Sequence, residues 1–162
     1  MQIYKCHFKI DLFLRSFLSL FKIKLIMYPA ELVKPMREDL TSVGFVELTD
    51  SNDVKTNIAN SKSAVLIVNS VCGCAAANAR PGVKDSLNND KKPEQLFTVF
   101  AGVDKEATDS ARNLMVPFPP SSPCIAIFKD GELVHMLERH HIEGRSSEII
   151  SKNLKQAYDQ YC

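Results

Sequence analysis

Two cysteines one residue apart, Cys72 and Cys74, stand shortly behind the apolar run Ala64 to Asn69 (AVLIVN). A run with no polar face reads as a strand buried on both sides. The Ala-rich AAANARPGVKDSL after the pair favours a helix, with a kink or break expected at Pro81. The pair therefore falls at a strand-to-helix junction, where unpaired backbone N–H groups and the helix dipole favour an anion. A thiolate is such an anion, and it is the nucleophile of disulfide exchange. Cys72, the more N-terminal of the two, is the expected nucleophile and Cys74 the expected resolving thiol. With one intervening residue in place of two, an internal disulfide closes a smaller ring with poorer torsion geometry. It is therefore expected to be readily reduced, and a mixed disulfide on Cys72 to persist.

A second motif lies far along the chain. SSPCIAIFKDGELV places Pro123 at the start of a buried strand, ahead of a tight hairpin turned by Lys129, Asp130 and Gly131. The arrangement resembles that of thioredoxin-like proteins, in which a cis-proline stands in this place, and by that resemblance the Ser122–Pro123 bond would be cis, a form that persists in folds only where context imposes it. Ser122 would then offer its backbone groups to an extended or thiol-bearing substrate. A metal reading of the cysteine pair needs further ligands. The candidates Cys124, His140, His141 and Cys162 stand at no characteristic spacing, so no metal site is expected. Cys124 reads as a packed strand residue, Cys162 as an exposed tail residue, and the two histidines as surface groups. Arg80, six residues past Cys74, is expected to point away from the helix start into solvent.

The elements that must hold these groups alternate helix and strand. A helix from about Pro29 to Val43 would turn Leu32, Val33, Met36 and Leu40 inward and stop at Gly44. Phe45 to Leu48 reads as a short strand, and Thr49 or Asp50 can cap a helix through Val54 and Ile58. Phe97 to Val103 is a second buried strand, followed by a helix opened by Asp104 that carries Ala107, Ala111 and Met115. Cys124 to Phe128 and Glu132 to Leu137 form the hairpin. A last helix from Ser146 would bury Ile149, Ile150, Leu154 and Ala157.

The 162 residues, 45% of them hydrophobic, suffice for one core. A net charge of +1 argues against nucleic acid as a partner. Five scattered cysteines do not make a secreted disulfide framework, so a reducing, cytoplasmic setting is expected. Lys5, Lys9, Arg15, Lys22 and Lys24 against Asp11 give residues 1–26 a net +4. Their apolar runs are too interrupted for a membrane span or a secretory signal. They are expected to be a tail outside the fold, an upstream-start artefact with Met27 as the natural start, in preference to a basic amphipathic helix on a membrane.

Taken together, VNSVCGCAAANARPG, FTVFAGVDKEAT, the SSP segment and the HHIEGR segment resemble the bacilliredoxin family over residues 27–162. The resemblance implies a thioredoxin-like α/β fold, a central mixed sheet with helices on both faces, and a cis-proline facing the redox cysteines. It implies a thiol-disulfide oxidoreductase that removes bacillithiol from S-bacillithiolated client proteins, with Cys72 attacking and receiving the bacillithiol moiety. Gly73, Ser122 and Pro123 would contact the substrate. No bound cofactor is expected, bacillithiol serving as thiol co-substrate. A separate pyridine-nucleotide-dependent reductase would supply electrons, since no Gly-rich nucleotide fingerprint is present. Two other readings stay open: a general protein disulfide isomerase or reductase, and a non-catalytic metal or iron–sulfur carrier using the same cysteines.

Overall fold

The computed structural model describes residues 28–162. The expectations placed on residues 1–26 and on Met27 lie outside the described residues. The elements are helix α1 (Ala30–Thr41), strand β1 (Val46–Glu47), α2 (Ser51–Ala59), β2 (Ser63–Asn69), a π-helical turn (Ala75–Ala79) running into α3 (Arg80–Ser86), β3 (Gln95–Phe100), α4 (Lys105–Leu114), β4 (Cys124–Lys129), β5 (Glu132–Leu137), α5 (Arg139–Ile142) and α6 (Ser147–Tyr161). Among the described residues the strands form one sheet in the order β1-β3-β2-β4-β5.

Strand β2 sits at the centre because each of its residues is buried and has no polar face to turn outward. It pairs in parallel with β3, Ala64 opposite Gln95 through Asn69 opposite Phe100. On its other side it pairs antiparallel with β4, Ser63 opposite Lys129 through Val68 opposite Cys124. Strand alternation then divides the core in two. Ala64, Leu66 and Val68 pack with Val54, Ile58, Phe97, Ala107 and Ala111 beneath α2 and α4. Val65 and Ile67 pack with Leu40, Val83, Ile150, Leu154 and Tyr158 beneath α1, α3 and α6. The mixed sheet with helices on both faces is thereby established.

Local chemistry accounts for the element ends. Asp50 Oδ1 accepts from the N–H groups of Asn52 (2.7 Å) and Asp53 (3.4 Å), capping α2. Asp130 and Gly131 have φ of 50° and 82°, the positive pair that a two-residue hairpin turn between β4 and β5 requires. Strand β3 ends at Phe100, short of the expected Val103, because β2 has no residue left to pair after Asn69. The Ala101 N–H closes the ladder on the Asn69 carbonyl at 2.9 Å.

Three expectations are corrected. Leu32 and Ile149, expected inside, are 47% and 57% exposed. Their helices dock through the other residues expected inside, Val33 and Leu40 in α1 and Ile150, Leu154 and Ala157, with Tyr158, in α6; Val33 and Ile150 lie about 100° around the helix from Leu32 and Ile149. The kink or break expected at Pro81 lies instead before it, as a widened turn over Ala75–Ala79. Pro81 has no N–H to offer the Ala77 carbonyl, and the Arg80 N–H reaches back five residues to Ala75.

Helices α3 and α6 approach closely at Gly82. A Cβ there would stand 2.8 Å from Ile150 Cγ2 and 3.1 Å from the Ser147 carbonyl oxygen. Gly82→Ala is therefore expected to lose about 1–3 kcal/mol of stability through overpacking, despite alanine's better helix propensity. Urea denaturation checks this, and an unchanged or raised midpoint would show that the two helices can part without cost.

Candidate active site

The site is built at the point where β2 runs out. Asn69 is fully buried and Ser70 nearly so, and two residues later the chain reaches the surface at half-buried Cys72 and Cys74, with Gly73 exposed between them. The two cysteines are joined as a disulfide with Cα atoms 5.4 Å apart. Cys72 occupies the place of an N-cap residue. Its carbonyl accepts from the N–H groups of Ala75 (3.0 Å) and Ala76 (3.2 Å), and its sulfur accepts from the Ala75 N–H at 3.3 Å. The Ser70 hydroxyl stands 3.2 Å from the same sulfur and accepts the Cys72 N–H at 3.4 Å, which leaves its proton to point at the sulfur. Two donors thus converge on Cys72 Sγ. A Cβ on Gly73 would meet nothing within 4 Å, so the face above the pair is open to an approaching disulfide.

The antiparallel partner brings the second motif to the same end of the sheet. With Val68 opposite Cys124, Pro123 lies beside the exit of β2, and its peptide bond with Ser122 is cis. A second cis bond, Val116–Pro117, lies earlier in the same loop. Strand β5 returns to this end, and Arg139 just beyond it ties the loop down. Its Nη1 donates to the Ser122 carbonyl at 3.1 Å and its N–H to Ser121 Oγ at 3.4 Å. One lone pair of the Ser122 carbonyl is therefore engaged within the protein, a contact invisible in the sequence because Arg139 is 17 residues away.

The remaining candidates separate. Cys124 is buried beside Met115, its sulfur 3.9 Å from Met115 Sδ, and burial pushes its thiol up to about 11. Cys162 is exposed and lies by Ser63 and Lys129, at the opposite end of β2 from Cys72. His140 and His141 are exposed on α5 and, with Glu138, form the one group among the described residues able to offer three metal ligands; it contains no cysteine. His141 Nδ1 already accepts the Glu138 N–H at 3.2 Å.

Arg80 departs most from expectation. It is 6% exposed, not solvated. The π turn inserts one residue's worth of rotation, about 100°, before Arg80 and swings it from the outer face to the inner one. Its Nε donates to Asp39 at 2.8 Å, and its Nη1 to Asn69 Oδ1 at 3.2 Å and the Ser70 carbonyl at 3.4 Å. Asp39 is half-buried, and although burial alone would raise its carboxyl, hydrogen bonds and charge from Lys84 and Arg80 hold it below the ordinary range.

A family model described as "Disulphide isomerase" matches residues 28–162. The chain is 54% identical over 134 residues to a bacilliredoxin of Cytophaga hutchinsonii, spanning 83% of this chain and 99% of that one. It is 47% identical over 136 residues to a bacilliredoxin of Shouchella clausii, spanning 83% and 94%. The chain belongs to the bacilliredoxin family. Its backbone is similar to the oxidised form of mitochondrial thioredoxin 3 of Saccharomyces cerevisiae, with a TM-score of 0.50, 16% identity, and 75% and 98% of the two chains covered. As a member of this family, the chain is a thioredoxin-fold thiol-disulfide oxidoreductase with thiol-based redox partners. No helix among the described residues is long and apolar enough to cross a membrane.

The contrast between cysteines is directly testable. Iodoacetamide at pH 8 is expected to leave Cys124 of the reduced, folded protein unmodified and to label it once denaturant is added. Because folding raises its pKa from 9.0 to about 11, the stabilisation from keeping this thiol neutral is complete below about pH 9 and lost as pH rises through about 11. Peptide mass mapping across that pH range checks this; labelling of Cys124 in folded protein at pH 8 would contradict its burial.

Proposed function

We propose that this protein removes bacillithiol from S-bacillithiolated proteins in the cytoplasm. The carrying observation is the asymmetry of the pair: Cys72 Sγ receives the Ala75 N–H and the Ser70 hydroxyl, which stabilise an anion there. The reduced Cys72 thiolate attacks the bacillithiol sulfur of the mixed disulfide. A bond forms between that sulfur and Cys72, the bond to the client breaks, and the client cysteine leaves with the electron pair and takes up a proton. A second thiolate then attacks this mixed disulfide. If free bacillithiol attacks the bacillithiol sulfur, bacillithiol disulfide forms and Cys72 leaves with the electron pair, restored as a thiolate; attack on the Cys72 sulfur is the route open to Cys74. By that route bacillithiol leaves as a thiol and the Cys72–Cys74 disulfide forms, to be reduced by two electrons from a separate pyridine-nucleotide-dependent reductase.

Gly73, Ser122 and Pro123 form the substrate rim in this reading. Gly73 leaves space over the sulfurs, and the Ser122–Pro123 segment supplies backbone beside them. The bacillithiol assignment is supported by the relatives' name. A second reading, exchange of disulfides within client proteins, is supported by the description of the matched family model. Residues 1–26 are proposed to lie outside the catalytic domain.

Intact mass spectrometry after incubation with a bacillithiolated client separates these readings. Released client and a bacillithiol adduct are expected on wild type and Cys74→Ala, the adduct accumulating on Cys74→Ala when free bacillithiol is scarce, and neither on Cys72→Ala. No adduct on any variant, with refolding of a scrambled disulfide protein intact, would shift the assignment to disulfide isomerisation.

A further inference from the structure

Arg80 is a buried cation that no step of disulfide exchange requires, and burying a guanidinium is costly unless its donors are met. One side of the fork is accounted for by the ion pair with Asp39, 2.8 Å from Nε. The other side does something different. Nη1 points to two neutral acceptors at the exit of β2, Asn69 Oδ1 and the Ser70 carbonyl. Asn69 Oδ1 also accepts the Ser70 N–H at 2.8 Å, and Asn69 Nδ2 is tied to the Met36 carbonyl at 3.0 Å. Ser70 is thereby held at both its N–H and its carbonyl, and its hydroxyl is the group 3.2 Å from the Cys72 sulfur.

We propose that Arg80 is a positioning residue for the thiol chemistry: through Asn69 and Ser70 it holds the Ser70 hydroxyl on the Cys72 sulfur. This rests on Cys72 being the attacking thiol. A serine hydroxyl rotates freely and has competing partners in water. Fixing the backbone on both sides of Ser70 removes the freedom by which that donor would be lost when Cys72 is reduced. The planar fork is what makes this possible, because separate nitrogens reach Asp39 and the strand end together. A lysine ammonium at the same place satisfies Asp39 and leaves the strand end unheld.

The test is the pH dependence of Cys72 alkylation by iodoacetamide in the fully reduced protein, read at the Cys72 peptide by mass spectrometry. Wild type is compared with Arg80→Lys, Ser70→Ala and the double variant, each verified as folded by circular dichroism. Each single variant is expected to raise the pH midpoint by about one unit, roughly a tenfold loss of thiolate below the midpoint. The double variant is expected to shift no further than Ser70→Ala alone, since Arg80 acts through Ser70. An unmoved midpoint in Arg80→Lys, or an additive shift in the double variant, overturns the proposal; a purely structural arginine would lower the melting temperature without this coupling. Should Arg80→Lys not fold, Asp39→Asn loosens the same anchor from a half-buried position and takes its place in the cycle, with the same non-additivity required. The assay uses neither bacillithiol nor a client, so failure of de-bacillithiolation leaves it intact. Preferential labelling of Cys74 in wild type would instead remove Cys72 as the nucleophile.

Discussion

A primary amide buried at the end of an apolar strand must find partners for both its ends, since an unpaired polar group there costs on the order of 1–3 kcal/mol. Asn69 is that group. Its Nδ2 goes to the Met36 carbonyl of α1, and its Oδ1 to the Ser70 N–H and Arg80. These contacts join the first helix, the central strand and the helix after the cysteines at one point. Arg80, turned inward by the π turn, is one of these partners; Asp39 balances its charge and is itself shared with Lys84, and the turn carrying Cys72 and Cys74 is fastened to what lies beneath. A polar knot under the cysteine turn is therefore a condition of ending β2 in the interior.

The sheet topology decides what can stand beside that turn. With helices on both faces, the approach left to a large substrate is the edge at the strands' ends, and in open α/β sheets the carboxyl end of the central strand is where sites collect. β3 runs parallel to β2 and contributes its own carboxyl end, from which Asp104 reaches Arg37 of α1 at 3.0 Å. Only an antiparallel neighbour can bring an amino end there. β4 does so, and the loop before it therefore delivers Ser122 and Pro123 to the rim, with Arg139 at the end of β5 bracing the segment.

Much of this was legible in the residues because it follows from local pattern. AVLIVN has no polar face, Asp130–Gly131 has the residue types of a two-residue hairpin turn, and Asp50 is a capping side chain in front of a helical period. What escaped depends on contacts between distant segments. The π turn follows from the missing N–H of Pro81, yet whether a helix answers by kinking or by widening is decided by which face must be buried. Once Gly82 is required against Ile150, widening is the answer, and Arg80 turns inward with it. In the sequence Arg80 reads as solvated because its distance from the helix start, six residues past Cys74, points it away from the cysteines unless the helix widens before it. Leu32 and Ile149 were misplaced because an amphipathic stripe in a short helix has several apolar residues to choose from, and the neighbouring surface makes the choice.

Cys72 and Cys124 show how far environment governs one side chain's chemistry. Cys124 is paired with Val68, one residue before Asn69, and lies in a strand with its backbone donors committed to the sheet. Its sulfur meets Met115, and burial outweighs the Ser121 hydroxyl, the Arg112 charge and the Val68 backbone, so it is held as a neutral thiol. Cys72 is four residues past that same Val68, beyond the last paired position, where the first turn of the next helix has N–H groups with no carbonyl partner. The Ala75 N–H is shared between the Cys72 carbonyl and the Cys72 sulfur, and Ser70 adds a second donor to the sulfur. Both sulfurs have hydrogen-bond donors near them, Ser121 and the Val68 backbone at Cys124 and Ser70 and the Ala75 N–H at Cys72; the difference is burial, complete at Cys124 and partial at Cys72.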